Sequence, residues 1–218
     1  MQLMQIFFTS QHMIAVDKPC GLLSVPGIGP AKQDCLITRL QETFPEARIV
    51  HRLDRDTSGV MILARDADTH RELSRQFQDR EVSKRYIAVV AGHMREDEGE
   101  IDLPIRKDMN AGTTPRHIVD HEQGRASLSR YRTLDRCSME TPDGTLDISR
   151  IELSPLTGRS HQLRVHLKAI GHPILGDDLY APPHVLAASD RLLLHATYLY
   201  LTDPYTAEPR EFVSACPF

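Results

Sequence analysis

The sequence predicts an α+β fold: a mainly antiparallel, mixed β-sheet with flanking helices. Three observations carry this. Strand-like segments outnumber helical ones, several follow one another directly, and the strict alternation of strand and helix that builds a parallel sheet is missing. The chain has 218 residues, 40% of them hydrophobic, enough to bury a substantial core.

In chain order, HMIAVDKP reads as a strand ending in a turn, and GLLSVPGIGP, with three glycines and two prolines, as a loop. DCLITRLQET, residues 34–43, predicts a short helix with Asp34 as N-cap and Leu36, Ile37 and Leu40 on one face. GVMILAR is a short apolar strand, and Asp66 caps a helix over ADTHRELSRQFQDR in which Leu73 and Phe77 lie four apart. KRYIAVVAGH is a strand rich in aromatic and β-branched residues. The acidic REDEGE predicts a solvated turn, and residues 106–126, polar and carrying Gly112, Pro115 and Gly124, a loop or hairpin over the body. SRYRTLDR and TLDISRIEL read as strands. TGRSHQLRVHLKAIG predicts a helix that begins near Thr157 or Ser160, stops at Gly171 and turns Leu163, Leu167 and Ile170 to the core. RLLLHATYLYLTDP closes as a long strand. No repeat or linker interrupts this, so residues 1–218 read as one continuous domain.

Composition narrows the function. No run approaches the roughly 18–20 apolar residues of a membrane helix, and MQLMQIFFTSQH lacks a basic leader region. Cys20, Cys35, Cys137 and Cys216 are scattered and form no CxxC pair, which fits a reducing compartment. A cytoplasmic protein is expected. The net charge of -4 argues against a nucleic-acid partner on its face, but the charge is segregated. Residues 51–95 hold nine Lys/Arg against seven Asp/Glu and residues 150–172 four against one, so these segments carry +5 and the remainder -9.

The first positive segment opens on IVHRLDRDTSGV, where Arg52, Asp54, Arg55 and Asp56 are wedged between apolar runs. A carboxylate in a turn between rigid elements can project without mobility; capping the turn is the plainer role. The predicted helix carries His161, Arg164 and Lys168 at i, i+3 and i+7, a basic face of a kind that is ordinarily solvated. Turned toward Asp54 instead, Arg164 would keep that carboxylate ionised. His161 and His166 lie five apart, on different faces, and no HExxH is present, so zinc is not expected. Asp54-Arg55-Asp56 superficially suits a magnesium-dependent aspartyl phosphatase of the haloacid dehalogenase type. Against it, His51 and Arg52 interrupt the strand, and GDDLYAP at 176–182 lacks the later aspartate of such a metal site.

HRLDRDTSG, KRYIAVVAG, LTGRSHQLRVHLKAIGHPILGD and RLLLHA, in that order, resemble the RluA family of RNA pseudouridine synthases, and the likeness runs from VDKPCGLLSVPG to the last strand. The resemblance implies the pseudouridine synthase catalytic fold without the S4-like N-terminal domain of some members. It also implies a monomeric isomerase that acts on ribosomal RNA, the anticodon stem-loop of tRNA, or both, with no cofactor and no metal. Carried over residue by residue, Asp54 matches the catalytic aspartate, Tyr86 the tyrosine that stacks on the target uracil and Arg164 the basic partner of the aspartate. Arg52 matches the arginine that enters the RNA helix as the base leaves, and Leu194 falls in the apolar wall of the pocket. His161 and Lys168, beside Arg164, would meet the RNA. Uracil would be detached at N1, turned and rejoined through C5, Asp54 either attacking C1' or removing a sugar proton. A non-catalytic RNA-binding module would use the same basic surface, but a carboxylate among phosphates would only repel them.

Overall fold

The computed structural model describes residues 4–112, 114–142 and 144–218. The chain runs through β1 (Gln5–Thr9), β2 (Met13–Lys18), α1 (Leu36–Gln41), β3 (Arg48–Ile49), β4 (Ser58–Ala64), α2 (Ala67–Gln78), β5 (Ser83–Ala91) and β6 (Glu98–Asp102). It continues through β7 (Ile105–Lys107), β8 (His117–Val119), β9 (Leu128–Thr141), β10 (Gly144–Pro155), α3 (Gln162–Ala169), α4 (Pro183–Ala187), β11 (Leu194–Thr202) and β12 (Pro209–Val213). Two compact units result: residues up to Lys84 joined by His195–Pro217, and Arg85–Leu194 with Phe218.

In the first unit β4 is the central strand. β2 runs antiparallel along one edge of it. The other edge is shared by β11, parallel at Ser58 and Gly59, and the short antiparallel β3 at Leu63 and Ala64. β1 and β12 complete the sheet on β2 and β11. All seven residues of β4 are buried, which is why SGVMILA shows no polar alternation: both faces are covered. Met13, Ala15, Val60, Ile62, Leu73, Val82, Leu199 and Phe212 pack together there, with Phe77 at the margin. Asp66 caps α2 as expected, accepting from the Thr69 amide at 2.8 Å. Asp34 does not cap α1. Its carboxylate is gripped by Arg39 at 2.6 Å, and the helix starts later, on a capping box between Cys35 and Thr38.

The second unit is an antiparallel sheet in the order β5-β10-β9-β6, with β7 and β8 forming a separate hairpin within the polar segment 106–126. Ala88, Val90, Ile101, Ile151, Leu153, Leu163, Leu167 and Ile174 form its main core. Two boundaries depart from expectation. Only the start of REDEGE is a turn; from Glu98 the chain pairs with β9 and buries Ile101. α3 begins at Gln162, because Thr157 spends its hydroxyl on Gln162 and on the Leu128 amide and so caps nothing. Ile170, expected on the apolar face, lies exposed beyond the helix. Antiparallel pairing dominates, and the mixed α+β class stands. Among the described residues no helix is long and apolar enough to cross a membrane.

Candidate active site

Asp54 lies in the short turn that feeds β4, half-buried between exposed Arg52 and Arg55 and next to buried Leu53. The backbone is pinned on both sides of it. Ser24 Oγ donates to the Leu53 carbonyl at 2.7 Å and accepts from its amide at 3.2 Å. Lys18, 0% exposed, donates to the carbonyls of Pro19 (2.9 Å), Leu22 (2.7 Å) and Arg55 (2.8 Å). Three carbonyl oxygens match the three N–H donors of an ammonium, so the buried group is solvated by the chain it organises. With Leu53 and Arg55 both fixed, Asp54 has little freedom to move, and its position is set before any substrate arrives. Asp56 is engaged sideways by Arg55 at 2.9 Å, at the exposed rim.

Beyond the turn, β4 can start only because residue 59 is glycine. Its φ is +116°, and a Cβ there would stand 2.2 Å from the Ala196 carbonyl oxygen. Next to it Ser58 Oγ meets buried His195 Nδ1 at 2.8 Å, and His195 Nε2 meets Ser214 Oγ at 3.0 Å, locking the parallel junction of β4 and β11.

His51, which opens HRLD, is structural. Its Nε2 accepts the Ile62 amide at 3.0 Å, and its ring stacks on Phe77 at 4.4 Å. Burial, helped by the nearby charge of Lys84, lowers its pKa to about 3. Burial likewise lowers that of His166, which bonds Ser129 Oγ and the Leu103 carbonyl. The linkage sign follows. Below the ordinary histidine value of about 6.5 the unfolded chain binds protons that the folded chain refuses, so stability falls as pH drops from there toward 3. Each such histidine contributes a slope of up to ~1.4 kcal/mol per pH unit. Urea unfolding at pH 7 and pH 5 should show wild type losing clearly more stability than His51→Gln; equal losses would show that His51 is not held neutral.

In the second unit Tyr86 lies half-buried on β5, paired with Leu153 of β10, and packs against the main core to which Leu194 also belongs. The two residues expected to form one apolar surface therefore share one cluster. Arg164 departs from the solvated basic face read from the helix pattern: it is 2% exposed. Asp177 grips it with two bonds, Nε to Oδ2 at 2.8 Å and Nη2 to Oδ1 at 2.5 Å, and Asp178 adds a third at 3.0 Å. Asp177 also accepts the amides of Leu179 and Tyr180, so the GDDLY turn exists to hold this guanidinium. Gln162, buried, ties α3 to Thr157, Leu128 and Ser129. His161 sits just before α3 with its Nδ1 2.8 Å from the Tyr180 hydroxyl, and Lys168 is exposed in the last turn.

Four residues that organise these side chains escape the sequence reading: Lys18, Ser24, Asp177 and Tyr180. A lysine closing an apolar strand just before proline was the available signal for the first, and the GDD doublet for the third. Of the two aspartates that the phosphatase reading leaned on, Asp54 and Asp56, the second is bound to Arg55.

Comparison with known proteins agrees with this geometry. The family pattern described as RNA pseudouridylate synthase matches residues 12–169. The dual-specificity RNA pseudouridine synthase RluA of Yersinia pestis is 46% identical over 99% of this chain and 100% of its own length. The protein of the same description from Escherichia coli (strain K12) is 42% identical over 98% of this chain and 93% of its own. Among solved structures, human RNA pseudouridylate synthase domain containing 1 superposes with a TM-score of 0.82 at 30% identity, covering 99% of this chain and 84% of that one.

Proposed function

The chain belongs to the RNA pseudouridylate synthase family and is an RNA-modifying isomerase, and from that premise we propose that it converts uridines in both ribosomal RNA and the tRNA anticodon stem-loop, with Asp54 as the reactive group. The observation that carries this is the pinning of Leu53 and Arg55 around the Asp54 carboxylate, an arrangement that serves a fixed reactive group and no simple cap. The dual specificity named for the relatives supports two RNA substrates.

A stacked uridine is unreachable until it flips, at a cost of a few kcal/mol. Arg52, exposed beside Asp54, takes the vacated place in the RNA, its guanidinium replacing lost stacking and hydrogen bonds. Tyr86 receives the uracil on its ring, a contact worth about 1–3 kcal/mol, with Leu194 in the apolar wall behind it. Asp54 then acts at the sugar, by attack on C1' or by proton removal, and the N1 bond is exchanged for one to C5 with no net redox change. Arg164 is the cation that opposes protonation of the reacting carboxylate. Lys168 and His161 meet the phosphates. The protein works as a cytoplasmic monomer, and these residues carry the reaction without metal or cofactor.

Release of tritium from C5-labelled uridine, with excess EDTA present, tests the reading on a ribosomal RNA fragment and on a tRNA stem-loop. Release from both is expected. Release from one alone would remove the dual specificity, absence of release with magnesium-dependent hydrolysis of a phosphate monoester would revive the phosphatase class, and binding without release would leave a non-catalytic RNA module.

A further inference from the structure

Tyr180 takes no part in the reaction described above, yet several elements of the second unit meet at it. It is buried, and its hydroxyl lies 2.8 Å from the backbone N–H of His117 and 2.8 Å from His161 Nδ1. A phenol oxygen that accepts from an amide has its own proton to give, and His161 Nδ1 lies within reach of it. In the tautomer that accepts this proton, the imidazole carries its own on Nε2, a donor of the kind that binds RNA oxygens. His161 itself is held at φ 57°, a left-handed conformation that a non-glycine residue keeps only when its surroundings impose it.

The same phenol carries cations on its ring, Arg164 at 5.2 Å and Arg116 at 5.8 Å from the centroid. His117 and Arg116 belong to the polar segment that no motif accounts for. Its hairpin touches the body through a small apolar cluster in which Ile105 and Val119 meet Val165, Leu179 and Tyr180. Its charges are not all available: Arg106 is paired with Asp120 at 2.5 Å, whereas Lys107 is exposed and Arg116 half-buried.

We propose that Tyr180 is a positioning residue: its hydroxyl docks the β7–β8 hairpin against the start of α3 and fixes the His161 tautomer, so that Lys107, Arg116 and His161 together grip the phosphate backbone of the substrate RNA. This rests on the pseudouridine synthase reading and assigns the polar segment its part in that reaction.

Tyr180→Phe isolates the hydroxyl, because the ring and both cation contacts remain and Asp177 reaches Tyr180 through its amide. Three measurements are needed: kcat and KM on the stem-loop RNA, amide hydrogen exchange without RNA, and the wild-type tritium assay. KM should rise at least fivefold with kcat within twofold, and exchange should quicken in residues 105–119 while β10 is unchanged. An unchanged KM, or unchanged exchange in the hairpin, overturns the proposal. So does a fall in kcat with faster exchange throughout the unit, which is the signature of a merely structural tyrosine. Lys107→Ala, an exposed substitution, should raise KM with no change in exchange; an unaltered KM would remove the hairpin from RNA binding. If the wild type releases no tritium, the function itself fails, while the exchange experiment still reads the docking.

Discussion

Asp54→Asn should abolish isomerisation, with turnover below about a hundredth of wild type, a loss of more than ~2.7 kcal/mol of transition-state stabilisation. Affinity for the RNA stays within about tenfold, or ~1.4 kcal/mol. The expectation is sharp because the turn does not depend on that side chain for its shape: Lys18 holds the Arg55 carbonyl and Ser24 holds Leu53 at both polar atoms of its backbone. Substituting a nearly isosteric amide therefore removes the proposed nucleophile or base and little else. Asp56→Asn is the control. It loses an ion pair to exposed Arg55 worth about 0–1 kcal/mol and should stay active. Single-turnover rates and equilibrium binding on one stem-loop decide the matter, and residual activity near wild type in the Asp54 variant would end its assignment.

Arg164→Met should destabilise the fold by about 3–5 kcal/mol, the cost of leaving buried Asp177 without its cation, and Asp177→Asn by less, because Arg164 keeps its bond to Asp178 at 3.0 Å. The side chains are 3% and 0% exposed, so water cannot replace the lost partner. An asparagine at 177 can still accept the amides of Leu179 and Tyr180, which makes that variant a test of the ion pair and not of the turn. The double variant should lose less than the sum of the two, since the second substitution removes a charge that the first had stranded. Arg164→Lys should not restore stability, because one ammonium cannot make the forked contact to both carboxylate oxygens. Urea unfolding of the four proteins measures this. Single losses under about 1 kcal/mol, or strict additivity, would show that the pair is not a coupled buried unit.

Much of this was legible in the sequence where the signal is local. β4 announced itself as an unbroken apolar run and α2 by Asp66 and the four-residue spacing of Leu73 and Phe77, while Asp54, Tyr86 and Leu194 stand in motifs that resemble the family's, with roles that remain proposals. What stayed hidden depends on contacts that no periodicity encodes. Lys18 reaches Arg55 across 37 residues, Ser24 reaches Leu53 across 29, and Tyr180 reaches His117 across 63. The burial of Arg164 was hidden for a related reason: a basic helix face looks solvated until the chain beyond the helix returns with Asp177. The edge strands β1 and β12 were missed because they are short and mostly exposed, leaving little apolar pattern to find.

The seam between β4 and β11 also fixes an order of events during synthesis. Ser58 and His195 are 137 residues apart, and the first unit is complete only when His195–Pro217 joins the residues up to Lys84. The stretch Arg85–Leu194 is nearly self-contained and can fold as it leaves the ribosome, which takes roughly 5–20 s at typical elongation rates. Throughout that interval the strand behind Asp54 lacks its parallel neighbour, and Gly59 has no Ala196 to pack against. Until residues 195–217 emerge, the turn that carries Asp54 feeds a strand whose first residues, Ser58 and Gly59, are still without the parallel partner that the finished unit gives them.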